Sequence, residues 1–215
     1  MKIAVLFRGP VRPQPHFVVE RCREFMSQFA NVDAEIHTYL ATWRTWRTYK
    51  ASDIMALDLF DNVIMQTAPN DTHRERCTAL KKLQNGADIE PVFNMYYQSK
   101  TALDLIMNAD QYDYIVHTRT DLQMLFGPHL PQWFDPNYYV TVHAKPRPWT
   151  CDQMGIAPAK MMQAAWDYKT IENLGKMIEA ADKPEAVLET MIEAANIPVR
   201  TAAYQIWQLD PRRNQ

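Results

Sequence analysis

The chain has 215 residues, of which 47% are hydrophobic and 22% charged, and its formal net charge is −2. This composition excludes a disordered tail, and the charge excludes a globally basic nucleic-acid binder while leaving room for a local basic patch. The length predicts one domain over residues 1–215. The three cysteines form no CxxC pair and the N-terminal apolar run is short, so we expect reduced thiols and a cytoplasmic protein without a membrane segment.

The first third of the chain predicts a strand, a helix and a second strand. Residues 2–7 are predicted to form the first strand, because the continuous apolar run of residues 3–7 is typical of a strand covered on both faces. The second strand is predicted over residues 34–41 and a third over residues 62–66. The helix between the first two has its apolar residues on one face at Val18, Cys22, Phe25 and Phe29.

The rest of the chain adds two strands and a helical C-terminal third. The spacing predicts a long helix over residues 92–107, and strands over 112–118 and 138–142. Pro184 can occupy the first turn of a further helix, and residues 199–209 are predicted to be extended. The pattern favours an α/β fold with a mixed, mostly parallel central sheet flanked by helices.

Three polar clusters follow predicted strands, the positions at which ligands bind in open α/β sheets. They consist of Arg8, Gly9 and Arg12 after the first strand, His37 with Trp43, Arg44, Trp46 and Arg47 after the second, and Arg119 with Asp121 after the fourth.

Arg119 and Asp121 allow two interpretations. The carboxylate can hold a divalent cation such as Mn²⁺ or Mg²⁺, and the guanidinium can bind phosphate in a bidentate manner. Alternatively, the two side chains form a mutual salt bridge that closes the strand end. Local sequence alone leaves both open.

The other two clusters are equally open to structural explanations. Arg8 and Arg12 around Gly9 can complement a phosphate or form a solvated turn. The aromatic and basic side chains of residues 42–50 can stack on sugars or bases and meet phosphates, or form a helix with an aromatic stripe. Since there is no G-x-S-x-G, Walker, G-x-G-x-x-G or HExxH motif, a hydrolase triad, P-loop chemistry, nicotinamide binding and a zinc site are all unsupported.

The order of several short motifs resembles that of small bacterial and viral glycosyltransferases of the GT-A type, over most of the chain. R-x-D-L is the most specific of them. The matching segments are Arg8-Gly9-Pro10-Val11-Arg12, Ile36-His37-Thr38-Tyr39, Met95-Tyr96-Tyr97-Gln98-Ser99-Lys100, Tyr112-Asp113-Tyr114-Ile115-Val116-His117-Thr118-Arg119-Thr120-Asp121-Leu122 and Asp152-Gln153-Met154-Gly155.

The resemblance implies a Rossmann-like GT-A fold and transfer of a sugar from a nucleotide-diphosphate donor. Arg119-Thr120-Asp121 would replace the usual D-x-D, with Asp121 as the catalytic metal or diphosphate residue and Arg119 in the position of the first carboxylate. Whether the enzyme then needs a metal is left open, because a cationic side chain can itself neutralise a leaving diphosphate. The donor-binding residues implied are Arg8, Gly9, Arg12, His37, Lys100 and Arg119.

Asp152 is the candidate catalytic base, and its alternative role is to cap the N-terminus of a helix. His37 and His117 can also be ordinary strand residues with satisfied hydrogen bonds.

The acceptor would meet Trp43, Arg44, Trp46 and Arg47, and would be a glycan or a hydroxylated base in viral DNA. The other functions considered are a non-catalytic nucleotide-sugar-binding module and a different nucleotide-dependent transferase.

Overall fold

The computed structural model describes residues 1–11, 14–43, 49–67, 83, 88–109, 111–125, 127–143, 150–203 and 206–209. The strands in these ranges are β1 (Lys2–Arg8), β2 (Glu35–Trp43), β3 (Asn62–Gln66), β4 (Tyr114–Arg119), β5 (Leu122–Leu125), β6 (Tyr139–His143), β7 (Met154–Pro158), β8 (Val199–Ala203) and β9 (Ile206–Leu209). The helices are α1 (Pro15–Ser27), α2 (Ala51–Met55), α3 (Ile89–Ala109), α4 (Ala159–Ala165), α5 (Ile171–Ala180) and α6 (Pro184–Ala194), with a 3-10 helix at Gly127–Trp133.

Seven strands form one mixed sheet in the order β3-β2-β1-β4-β7-β6-β8. The pairs β3–β2, β2–β1, β1–β4 and β6–β8 are parallel, and β7 is antiparallel to both β4 and β6. A second, two-stranded sheet pairs β5 with β9 in an antiparallel manner. The predicted α/β fold with a mixed, mostly parallel sheet is therefore confirmed.

Alternation along β1 divides the core between the two faces of the large sheet. Ile3, Val5 and Phe7 point to the face covered by α1. Ala4 and Leu6 point to the face covered by α3, α4, α5 and α6. Because side chains in a strand alternate with a period of two, the residue after Phe7, Arg8, projects toward the face with the four helices.

Two helices begin at residues that are typical of helix N-termini. Pro184 lies in the first turn of α6, as predicted, and the hydroxyl of Thr170 accepts a hydrogen bond of 3.2 Å from the Asn173 amide at the start of α5. Within the described ranges, none of these helices has the length and apolar character needed to cross a membrane.

The end of one strand and the presence of another differ from the sequence prediction in ways that affect the site. β2 continues to Trp43 because Thr42 and Trp43 pair with Met65 and Gln66 of β3, so it is longer than predicted. β7 was not predicted at all, although it lies in the middle of the sheet. Its sequence, MGIAP, is short and contains both glycine and proline, which are depleted in strands.

Candidate functional site

Two arginines end neighbouring parallel strands at the carboxyl edge of the sheet. Arg8 is the last residue of β1 and Arg119 the last of β4, and the two are register partners. Adjacent strands lie about 4.8 Å apart. Leu6 pairs with His117 in the same register, so Arg8, His117 and Arg119 project from the same face of the sheet.

Gly9 allows the loop after β1 to lie against the turn after β4. Its φ is +131°, and a Cβ atom at this position would be 2.7 Å from the Oγ1 of Thr120. The Thr120 amide donates to the Arg8 carbonyl (2.9 Å), and the Thr120 hydroxyl donates to the Pro10 carbonyl (3.2 Å). Glycine is required because both the backbone conformation and the space exclude a side chain. The two strand ends are thereby held together.

Arg119 and Asp121 form a bidentate ion pair. Arg119 Nε donates to Oδ1 and Nη2 to Oδ2 of Asp121, both at 2.7 Å. Burial disfavours the charged guanidinium, but the hydrogen bonds and charge of Asp121 outweigh it and raise the pKa of Arg119. The salt bridge that the sequence left open is therefore present, and it lies in the predicted position at the strand end.

Arg8 is a buried cation whose hydrogen-bond partners are neutral. Its side chain and backbone together are 3% exposed. Nε donates to Nε2 of His117 (2.9 Å), Nη2 donates to the main-chain oxygen of Asp152, and Cζ lies 5.6 Å from the ring centre of Trp166. Burial and the charge of Arg119 lower the pKa of Arg8 to about 10, with Asp152 opposing the shift.

No carboxylate within the described ranges lies at ion-pair distance from Arg8. Taking a guanidinium out of water without a direct counter-ion costs several kcal/mol. An anion bound at the carboxyl edge would supply the missing counter-charge. The arrangement of Arg8 is chemically suited to binding an anion.

Asp152 completes this group because β7 runs antiparallel to β4. Met154, at the start of β7, pairs with Thr118 near the end of β4, which brings the residues before β7 close to Arg119. Asp152 is 5% exposed, and its carboxylate makes no hydrogen bond with any part of the chain that the structure describes. The helix-capping alternative is wrong, because the element that follows is a strand.

Comparison with known proteins identifies the architecture. Neither family models nor curated protein sequences match this chain. Solved structures do match, at 9–12% identity. One is the glycosyltransferase GlyE of Streptococcus pneumoniae TIGR4 in its apo form, with a TM-score of 0.53 and 12% identity over 93% of this chain and 45% of that one. Another is the catalytic domain of Drosophila β1,4-galactosyltransferase 7 with xylobiose, with a TM-score of 0.51 and 9% identity over 95% of this chain and 67% of that one. A third is the galactosyltransferase LgtC with donor and acceptor sugar analogues, with a TM-score of 0.51 and 11% identity over 94% of this chain and 73% of that one.

The chain has a GT-A fold. The likeness extends over almost all of this chain and, at such low identity, it establishes the architecture. The GT-A part of the expectation drawn from the motifs is therefore confirmed by a comparison that does not use those motifs.

Three other residues predicted for the site, His37, Lys100 and Trp43, lie outside the group around Arg8. His37 is the third residue of β2, toward the opposite edge of the sheet, and contacts the Tyr112 hydroxyl (2.8 Å) and Glu35 (2.9 Å). It lies inside β2, as it does in the predicted strand over residues 34–41, and not at the carboxyl end where ligands bind. It is a strand residue with satisfied hydrogen bonds, as the second interpretation of its sequence had it.

Lys100 and Trp43 also have partners of their own. Lys100, on α3, forms ion pairs with Asp104 (2.6 Å) and Asp167 (3.6 Å). Trp43, at the carboxyl end of β2, lies nearly parallel to the Tyr97 ring, with 6.5 Å between ring centres. Four predicted residues fall outside the described ranges: Arg12, Arg44, Trp46 and Arg47.

Within the described ranges, the side chains around Asp121 provide no preformed set of ligands for a divalent cation. The described ranges contain no group of three or more histidine, cysteine, aspartate or glutamate side chains able to hold a metal ion. Both carboxylate oxygens of Asp121 already accept hydrogen bonds from Arg119. Two neighbouring guanidinium groups also repel a further cation. The donor set is suited to an anion.

Two of the residues that hold Arg8, Trp166 and His117, were not singled out as site residues by the sequence. Trp166 packs beneath the guanidinium, and His117 accepts its Nε–H. Alternation did contain a signal for His117, since it lies two residues before Arg119 and therefore on the same face. Nothing in the local sequence around Trp166 indicates its contact with a residue near the N-terminus.

Proposed function

We propose that the chain is a glycosyltransferase that moves a sugar from a nucleotide-diphosphate donor to a hydroxyl acceptor. The observation that carries the proposal is Arg8, a buried arginine at the carboxyl edge of a GT-A fold, which has no carboxylate at ion-pair distance among the residues that the structure describes. The ligand crevice of open α/β sheets lies at this edge. A diphosphate supplies the negative charge that this position needs.

The transfer step assigns one role to each polar group. An acceptor hydroxyl attacks the anomeric carbon, the bond from that carbon to the phosphate oxygen breaks, and the nucleoside diphosphate leaves with the bonding electrons. The hydroxyl proton passes to the Asp152 carboxylate. Arg8 stabilises the charge that develops on the leaving diphosphate, and Arg119, held in place by Asp121, adds its positive charge at the same edge of the sheet.

The acceptor is proposed to be a glycan. Two proteins with the same fold were solved with sugars, one with xylobiose and one with donor and acceptor sugar analogues. Trp43 and Tyr97 present aromatic rings at the carboxyl end of β2, a surface type on which sugar rings stack. Arg44, Trp46 and Arg47 continue this segment in sequence and are proposed to contribute to acceptor binding. A hydroxylated base in DNA is the second acceptor to be tested.

A screen of nucleotide-sugars tests the activity and the site together. Purified protein is incubated with each donor and a panel of glycan acceptors or hydroxymethylated DNA, and released nucleoside diphosphate is measured. We expect release with at least one donor, and its loss in Arg119→Ala and in Asp121→Ala, because each change disrupts the group beside the leaving phosphate. Binding without release would favour the binding-module alternative, and full activity in both variants would refute the site assignment.

Metal removal should have little effect on the transfer rate. Since Arg119 occupies both oxygens of Asp121, the positive charge at the leaving diphosphate is proposed to come from the two arginines. We expect the rate in chelator to stay within about threefold of the rate with Mn²⁺ or Mg²⁺. A chelated enzyme that regains more than about tenfold in rate on metal addition would contradict this account.

A further inference from the structure

The orientation of Arg8 depends on a second buried residue, His117, which lies on the neighbouring strand. Two acceptors and one ring surface hold the guanidinium: His117 Nε2 at 2.9 Å, the Asp152 carbonyl, and the Trp166 ring. The Asp152 acceptor is a main-chain atom and is present whatever the side chain. His117 is thus the side chain that decides where the Nε–H of Arg8 points.

The hydrogen bond fixes the protonation state of His117. The Nε of arginine always carries hydrogen, so the Nε2 of His117 accepts and its proton resides on Nδ1. His117 is fully buried, and both this burial and the charge of Arg8 lower its pKa well below the usual value. Among the residues that the structure describes, its Nδ1 has no hydrogen-bond partner. A neutral imidazole with one satisfied nitrogen therefore lies against a buried cation.

Packing holds the imidazole itself in place. The rings of His117 and Trp166 are 4.3 Å apart between centres at 45°. The Oγ of Ser99, on α3, lies 3.2 Å from Nε2. Trp166 thus contacts both the imidazole and the guanidinium, so these two side chains have little freedom to move relative to each other.

We infer that His117 is a positioning residue that orients the Arg8 guanidinium for a phosphate group of the donor. The inference rests on the proposed function for the identity of the ligand, and on the contacts above for the orienting role. A histidine that only filled core volume would be replaceable by any side chain of similar size. A positioning role instead requires an acceptor atom at the place of Nε2.

Two amide substitutions separate these roles. In His117→Gln the amide oxygen reaches the position of Nε2 and can accept from Arg8, whereas in His117→Asn the shorter side chain places its amide near the position of Nδ1. Both variants replace a ring with a polar amide in the same buried setting. Ile115→Ala, two residues earlier on the same face of β4 and also fully buried, serves as a control for lost core packing.

The first measurement does not depend on any ligand. In protein labelled with ¹⁵N-arginine, the Nε–H of Arg8 should give a slowly exchanging NMR signal, identified by its absence in Arg8→Lys. We expect the signal to be protected in wild type, Ile115→Ala and His117→Gln, and to lose protection in His117→Asn. Equal protection in both amide variants would overturn the positioning role.

The second measurement connects this role to the donor. UDP, GDP, CDP, ADP, dTDP and inorganic pyrophosphate are titrated into each variant by calorimetry. For anions that wild type binds, we expect affinity within about threefold in His117→Gln and Ile115→Ala, and a loss of about tenfold or more in His117→Asn. An unchanged affinity in His117→Asn would overturn the inference alone. Failure of wild type to bind any of these anions would refute the proposed function, while the NMR result still decides the contact.

Discussion

An Arg8→Met variant is expected to lose about 10²- to 10³-fold in the rate of sugar transfer without becoming less stable. The rate falls because the variant lacks a preorganised cation next to the leaving diphosphate. Stability is expected to change little, because methionine fills similar apolar volume, and the removal of a charge from a residue that is 3% exposed offsets the lost hydrogen bonds to His117 and the Asp152 main-chain oxygen. Initial rates and urea unfolding measure the two quantities.

A fall in rate without a fall in stability makes this prediction specific to a functional arginine. If Arg8 served the fold, its removal would lower the free energy of unfolding and the transfer rate together. Arg200→Met is the matched control: Arg200 is exposed on β8 and pairs with Asp135 at 3.2 Å, and a surface pair of this kind contributes about 0–1 kcal/mol. We expect this control to retain the wild-type rate. A stable, fully active Arg8→Met enzyme would contradict the phosphate site.

An Asp152→Asn variant is expected to lose about 10²- to 10⁴-fold in kcat while it keeps its affinity for nucleoside diphosphate. The amide has nearly the shape of the carboxylate but cannot accept a proton from the acceptor hydroxyl. Arg8 donates to the main-chain oxygen of residue 152, and the substitution leaves that atom unchanged. The phosphate site should therefore remain assembled.

Kinetics and calorimetry together distinguish this role from a structural one. Asp135→Asn, which removes the partner of Arg200 at a distant surface position, should leave both kcat and affinity unchanged. An Asp152→Asn enzyme with more than about a tenth of the wild-type kcat would show that another group takes the proton. A parallel loss of diphosphate affinity would indicate that Asp152 acts in donor binding.

The positions of the arginines were predictable from sequence because buried strands are easy to recognise. The apolar run of residues 3–7 ends at Arg8, and Arg119 comes three residues after the apolar pair Ile115 and Val116. Parallel pairing then requires that the two strand ends meet at one edge. The bidentate bond between Arg119 and Asp121 was foreseen as one of two alternatives, and the structure contains it.

The environment of Arg8 was not predictable, because its partners come from distant parts of the chain. His117 is 109 residues away in sequence, and the Asp152 carbonyl is 144 residues away. The contact with Asp152 also depends on β7, a strand that the sequence did not predict because it contains glycine. A Cβ on Gly155 would lie 2.1 Å from the hydroxyl of Tyr139, so the strand carries glycine to make room for a neighbouring aromatic side chain. Local propensity cannot contain that tertiary requirement.

The boundary of β2 shows the same limit on a smaller scale. The sequence pattern ended this strand at Ala41, whereas pairing of Thr42 and Trp43 with β3 extends it. That extension explains why Trp43 reaches the carboxyl edge of the sheet. Strand ends are decided by the neighbouring strand, and a single segment of sequence does not contain that information.

The most direct test of the account is a calorimetric titration of wild type and Arg8→Met with the nucleoside diphosphate released in the donor screen, at one fixed ionic strength. We predict that wild type binds at least about 30-fold more tightly than Arg8→Met, because a charge-assisted contact in a buried site is lost. Equal affinities would show that the buried guanidinium of Arg8 does not hold the phosphate, and would contradict the account.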